Sequence, residues 1–285
     1  MIEPLRLYED NHLLVVSKPA GLLSQGDRTG DPDLTTWARD DLKRRYNKPG
    51  GVFVGLTHRL DRPVSGLVIL ARTGKAAARL AQQFRAGTIR KRYVAVLESS
   101  PNASFRFEES GILEDYLLKL SDSNRSSVLG ESRGHAESGT RQAISSYMVL
   151  ERWQRYLLIL LEPVTGRFHQ LRAQTASRGW PIAGDVKYGA SRALRAADGY
   201  GRIALHSWQV EFEHPTRRER MRLSAPKPSD WPAGWPFPDD EAASRTKARR
   251  TSDHAAPLCP RTAPRFPDAP PDANADENGS PIGFG

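Results

Sequence analysis

Thr57-His58-Arg59-Leu60-Asp61-Arg62-Pro63-Val64-Ser65-Gly66 runs directly into Leu67-Val68-Ile69-Leu70-Ala71-Arg72. The second part is a short apolar run containing β-branched residues, which reads as a buried strand. The first part is a polar turn with a proline and one carboxylate set between two arginines. A turn at the end of a rigid strand is where folds hold reactive side chains. A carboxylate flanked by guanidinium groups stays ionised, which suits a nucleophile and not a general acid. Taken alone, an aspartate on a turn is more simply an Asx-turn or a helix cap.

Working outward, His12 to Ser17 is apolar and ends at Lys18-Pro19, so it reads as a strand. Leu34, Trp37, Ala38 and Leu42 recur at helical spacing after Asp33, a suitable N-cap. Asn47 to Gly51 is a turn. Ala77, Leu80, Ala81 and Phe84 mark one face of a helix that stops at Gly87. Arg92 to Leu97 is a strand. From Phe105 to Tyr147 the periodicity weakens, and the polar stretch Ser121 to Thr140 reads as a long loop or flexible hairpin. Tyr147 to Leu150 and Tyr156 to Leu161 are strands joined near Trp153 to Arg155. Phe168, Leu171 and Thr175 begin a short helix that closes at Gly179. Ile203 to Phe212 and Met221 to Ser224 are late strands, linked around His214-Pro215-Thr216. Many strands against few helices, without βα alternation, predict an α+β fold. Its core is a mainly antiparallel mixed sheet with a few flanking helices.

The chain has 285 residues, enough for one good core plus a tail. Composition changes after Pro226, first to a Pro/Trp-rich stretch and then to Pro, Ala, Asp and Arg without periodicity. The expected division is a catalytic domain over 1–238 and a disordered tail over 239–285. Net charge is +9; the tail holds 6 basic and 8 acidic residues, leaving net +11 in front of it. A polyanion such as RNA can dock on such a surface. Lys247-Ala248-Arg249-Arg250 in the tail is either a solvated linker or a basic arm. The N-terminus lacks the apolar core of a signal peptide, and no apolar run approaches membrane-spanning length. The single cysteine, Cys259, excludes an internal disulfide and a multi-cysteine zinc site. A cytoplasmic protein is expected.

Five segments, in order, extend the reading: Lys18-Pro19-Ala20-Gly21, the His58 to Gly66 turn, Lys91-Arg92-Tyr93, Thr165-Gly166-Arg167-Phe168-His169-Gln170-Leu171-Arg172, and Pro181 to Gly189. Together they resemble the RluA family of RNA pseudouridine synthases, whose hallmark is H-R-L-D-x-x-T-S-G. Val64 departs from it by replacing the usual threonine, losing a hydroxyl but keeping a β-branched shape. The resemblance covers Asp10 to about Pro226, and no upstream S4-type RNA-binding domain is expected. It implies isomerisation of specific uridines in structured ribosomal or transfer RNA, with no organic cofactor or metal. No membrane and no obligate protein partner are expected, and the chain should be a monomer.

The same resemblance implies residue roles. Asp61 is the catalytic aspartate, by attack on ribose C1′ or through an elimination that leaves a glycal. Tyr93 is a catalytic residue that stacks on the target base and also helps to take the C5 proton. Arg167 pairs with the catalytic carboxylate, a role that suits a permanently charged planar fork. Arg59 fills the space of the flipped-out nucleotide, since a stacked base cannot reach a pocket. Arg62, Gln170 and Arg172 complete the RNA contacts, Arg172 by binding phosphate. His169 and Gln170 also read as hydrogen-bonders that hold their segment. Two rivals stand beside this reading. A non-catalytic RNA-binding or assembly protein explains the charge equally well. A hydrolase built on Asp61 with His58 or His169 lacks support from any G-x-S-x-G, P-loop or H-E-x-x-H pattern.

Overall fold

The apolar run after Asp61 forms a strand whose seven residues, Ser65–Ala71, are all buried. The computed structural model describes residues 3–101, 103, 105–129, 138–196 and 199–238. In chain order the elements before this strand are β1 (Leu5–Glu9), β2 (Leu13–Lys18), α1 (Leu34–Arg45) and β3 (Gly55–Leu56), which makes Ser65–Ala71 β4. Then come α2 (Gly74–Arg85), β5 (Arg90–Glu98), β6 (Ser110–Leu120), β7 (Arg125–Leu129), β8 (Arg141–Trp153) and β9 (Tyr156–Pro163). The chain continues through α3 (Gln170–Ala176), β10 (Leu194–Arg195), β11 (Gly201–Arg202), β12 (Leu205–Glu213) and β13 (Arg220–Ser224).

Eleven strands form one sheet in the order β1-β2-β4-β12-β5-β9-β8-β6-β7, with β3 on β4 and β13 on β12. Every pairing is antiparallel except that of β4 with β12, so the fold is α+β on a mixed sheet, as expected. The unbroken apolar run of β4 has a cause in the layers. Leu67 and Ile69 pack with Leu13, Val15, Leu80 and Phe212 on the α2 side. Val68 and Leu70 pack with Leu14, Val16, Leu34 and Leu42 on the α1 side. A strand covered on both faces has no polar positions to alternate with.

The helices start and stop where their capping residues dictate. Asp33 Oδ1 accepts from Thr35 N at 2.9 Å and Thr36 N at 3.1 Å, satisfying the first turn of α1. Thr73 caps α2, and Gly87 follows it at φ +66°, the left-handed conformation that ends helices.

Three features depart from the expected elements. β1 was not foreseen, because its residues are half-exposed or exposed and carry no apolar period. The weak stretch from Phe105 to Tyr147 contains β6, β7 and half of β8, at the sheet edge where few positions are buried. Within Ser121 to Thr140, Arg125–Leu129 is strand β7, paired with Tyr116 to Leu120 of β6. Residues 130–137 and the tail 239–285, with its expected disorder, lie outside the described residues. The segment after β13 carries no regular structure, yet it seals the core. Trp231 is buried there, and Trp235 and Phe237 pack on the same cluster. Among the described residues no helix is long and apolar enough to cross a membrane.

Candidate active site

Asp61 sits on a tight turn closed by the Val64 N–H donating to the Asp61 carbonyl at 3.0 Å. The turn is held from three sides. Gly21 N donates to Arg62 O at 2.9 Å, and Ile203 N to Pro63 O at 3.1 Å. Ser24 Oγ donates to Leu60 O at 2.7 Å and accepts from Leu60 N at 3.0 Å. Lys18 is wholly buried, and its ammonium donates to the carbonyls of Pro19, Leu22 and Arg62 at 2.9, 2.8 and 3.3 Å. Burial pushes this lysine down to about 7, with the Asp61 charge opposing. The Lys18 to Ser24 segment is therefore a clamp under the aspartate turn.

The exit from the turn needs a glycine. Gly66 has φ +115°, and a Cβ built on it would lie 2.2 Å from the Ser207 carbonyl oxygen. Only the missing side chain lets β4 approach β12. The same approach places Ser65 Oγ 2.8 Å from His206 Nδ1 in the core.

Across the cleft, α3 supplies the partner of Asp61. His169 takes the left-handed conformation (φ 51°, ψ 27°) immediately before the helix. Residues three apart then share a helical face. Arg172 Nη1 donates to Asp61 Oδ2 at 2.9 Å, while its Nε and Nη2 donate to the two oxygens of Asp185 at 2.7 and 2.8 Å. Burial opposes the charged guanidinium, but the hydrogen bonds and charges of Asp185 and Asp61 outweigh it and raise its pKa above the ordinary arginine value. The side chain of Asp61 remains 23% exposed, against 5% for Arg172 and 1% for Asp185. One end of the ion triad thus faces solvent and the other is anchored.

This corrects the expectation for Arg167. Its Nε donates to the Gln142 carbonyl on β8 at 2.9 Å, and Arg172 is the arginine that reaches Asp61. The reason is the reversal at His169, which leaves Arg167 before the turn and aims Arg172 off the helix. Two further roles change with it. Arg172 is committed to two carboxylates and has no fork left for phosphate. Gln170 is buried with both ends of its amide engaged: Oε1 accepts from Thr165 Oγ1 and Arg167 N, and Nε2 donates to Ile144 O and Ser145 Oγ. It holds the loop and has nothing left to offer RNA.

His169 lies between the triad and the β6–β7 hairpin. Its Nε2 is 3.0 Å from Arg172 Nη1, which can only donate, so Nε2 accepts and the proton is assigned to Nδ1. Nδ1 then donates to Tyr188 Oη at 3.0 Å, and Tyr188 Oη also accepts from Ser126 N at 2.8 Å. Burial pushes His169 down to about 4 against the pull of Asp61, with Arg172 adding to the burial effect.

Tyr93 lies on β5, buried, where its hydroxyl hydrogen-bonds Ser207. Burial drives its pKa up to about 12, and the negative charge of Asp61 adds to the rise. Arg59 is exposed, its guanidinium 6.0 Å from the Phe168 ring centroid. Arg62 Nε donates to Gly21 O at 2.9 Å and Nη1 to Asp31 at 2.7 Å, so it braces the turn while lying over the Tyr200 ring. Lys119 and Arg125, from β6 and β7, lie over Phe168 and Tyr188. Asp185, Tyr188 and Lys18 were not assigned roles from sequence, although each stands inside a recognisable motif. Among the described residues no group of three or more His, Cys, Asp or Glu is placed to hold a metal ion.

The site thus consists of Asp61 on its turn, paired with Arg172, the buried Tyr93, and the cations Arg59, Lys119 and Arg125 over aromatic rings. The sequence pattern of RNA pseudouridylate synthases matches residues 12–177. The chain belongs to that family, and within it to the RluA-type pseudouridine synthases, which are isomerases. It is 31% identical over 230 residues to the ribosomal large subunit pseudouridine synthase C of Vibrio parahaemolyticus, covering 80% of this chain and 67% of that protein. It is 34% identical over 233 residues to the ribosomal large subunit pseudouridine synthase D of Xanthomonas campestris, covering 79% and 66%. The chain thus spans about two thirds of the length of these relatives. The human RNA pseudouridylate synthase domain containing 4 shares the fold, with a TM-score of 0.62 at 22% identity, over 79% of this chain and 89% of that one.

Proposed function

We propose that this protein converts uridine to pseudouridine in large-subunit ribosomal RNA, with Asp61 as the reacting carboxylate. The observation that carries the reading is the Asp61–Arg172–Asp185 triad, which presents one anchored carboxylate to the cleft that holds Tyr93. The reaction breaks the bond between uracil N1 and ribose C1′, forms one between uracil C5 and C1′, releases the C5 proton and leaves N1 protonated. No electrons are gained or lost, and the base rotates without leaving the site. Asp61 serves either by attack at C1′ or by assisting loss of the C2′ proton to give a glycal; both need an anion held beside the ribose. Arg172 supplies the fixed positive partner that orients this anion.

Tyr93, with its proton retained at neutral pH, is a stacking platform and hydrogen-bonding group. Arg59, exposed on the rim, fills the gap left when the uridine flips out of its stack. The names of the similar curated proteins favour ribosomal RNA of the large subunit, with transfer RNA as the other substrate class. The protein acts in the cytoplasm as a monomer over residues 1–238.

The test is Asp61→Asn, which is nearly isosteric but uncharged. The purified variant should bind RNA as the parent does and release no tritium from large-subunit RNA transcribed with 5-tritiated uridine. Release at the parental rate would remove Asp61 from the chemistry. Pseudouridine mapping of total RNA from cells with and without the gene identifies the substrate class.

A further inference from the structure

Most cations of the described chain near the cleft are committed to acceptors or carboxylates; Lys91 is not. It stands on β5 two residues before Tyr93, and residues two apart on a strand project from the same face, about 6.6 Å apart along the chain. Its ammonium lies 6.0 Å from the Phe84 ring centroid on α2. On the other side it borders the loop before α3, where a Cβ built on Gly166 would be 3.9 Å from Nζ. Among the described residues it has no hydrogen-bond or ion-pair acceptor, and it is half-buried. Burial lowers its pKa; His58 is depressed first by its own burial and then by the Lys91 charge. Neighbouring Arg92, by contrast, is satisfied by Glu162 and Gln209.

A partly desolvated ammonium without an acceptor is costly to keep in a folded protein, and an arriving anion repays that cost. Gly166 has no side chain to cover the ammonium on one flank, and the Phe84 ring borders it on the other.

Given the reading of the cleft as an RNA site, on which this step rests, we propose that Lys91 is a phosphate-binding residue. Its ammonium takes a backbone phosphodiester beside the uridine whose base lies on Tyr93. Uracil is neutral, so the anion available at that distance from a bound base is the phosphodiester of its own or an adjacent nucleotide. Lys91 touches no reacting atom and acts by fixing the backbone so that the flipped uridine enters in register.

The experiment uses the full chain with Lys91→Met, Lys91→Gln and Lys91→Arg, and unmodified large-subunit RNA transcribed in vitro. Binding is measured across a series of KCl concentrations, tritium release under single-turnover conditions, and melting temperature without RNA. The Met and Gln variants should need about tenfold more enzyme for half-saturation while keeping the saturating rate within about threefold. Their log–log salt slope should be shallower by about 0.7–0.9, one phosphate contact. Without RNA both should melt no lower than the parent, because the ammonium has no partner to lose. Arginine, which keeps the charge, should restore affinity. Parental affinity and salt slope in the Met and Gln variants would overturn the proposal. So would a collapse in melting temperature of both, or loss of the saturating rate at unchanged half-saturation. If the parent itself releases no tritium, the pseudouridine synthase reading fails, and the binding and salt measurements still decide Lys91.

Discussion

Arg172 bonds Asp185 through two nitrogens and Asp61 through a third, joining the two carboxylates. Lysine carries the same charge at one point and cannot serve both carboxylates. Arg172→Lys should lower the single-turnover rate by at least about a hundredfold. It should also destabilise the protein by roughly 3–5 kcal/mol, because Asp185 is left buried and unpaired. Arg167→Ala loses one bond to a main-chain carbonyl, costing about 1 kcal/mol, and should keep its rate within about fivefold. Tritium release and urea denaturation on the two variants check this; the opposite ranking would return the pairing role to Arg167.

At the scale of elements, the site depends on one parallel joint in an otherwise antiparallel sheet. β4 meets β12 only at Ser65–His206 and Gly66–Ser207, directly behind the aspartate turn. Gly66→Ala places a methyl group in the Ser207 main chain and adds strain from a positive φ. The loss should exceed about 4 kcal/mol, at the extreme of single-substitution effects. Gly74, at the start of α2, has nothing within 4 Å of a built Cβ and a permitted φ. Gly74→Ala should leave stability unchanged or raise it by up to about 1 kcal/mol. Thermal melts of both proteins decide; a tolerated Gly66→Ala would show that the joint can open.

Over the whole molecule, three histidines are held neutral by burial, His58 and His206 at about 3 and His169 at about 4. These lie below the unfolded value of about 6.5, so the unfolded chain binds more protons between about pH 4 and 6.5. Stability is therefore complete above the ordinary histidine range and falls as pH drops through it. Each group removes up to ~1.4 kcal/mol per pH unit. Urea midpoints at pH 7 and pH 5 should differ clearly; equal midpoints would mean that these rings are not buried neutral. Truncation tests the molecule's end. A chain stopped after Pro238 should match the full chain in melting temperature and single-turnover rate. A chain stopped after Ala225 loses Trp231, Trp235 and Phe237 from the core cluster, and should melt well below it. Equal loss on removing 239–285 alone would move the domain boundary.

Local periods were legible because they depend on neighbours in the chain. The β4 run, the Asp33 cap, the α2 stripe and the β8–β9 strands could each be read from residues within a few positions. The Asp61 turn was legible for the same reason, since its arginines and proline are contiguous. Edge strands β1, β6 and β7 were not, because half-exposed positions carry little apolar pattern. The choice between Arg167 and Arg172 lay beyond local reading. It depends on a left-handed residue at His169, on the direction of α3 and on Asp185 arriving from a distant segment. Lys91 stands in a recognisable motif, but nothing in the sequence separates it from Arg92 until the fold sets Phe84 and Gly166 beside it and supplies no acceptor among the described residues. Sequence determined which elements form and which chemical groups are present, because these follow from short-range periodicity and composition. Tertiary structure decided which charges are spent on one another and which remain to meet a ligand, because that depends on contacts between residues far apart in the chain.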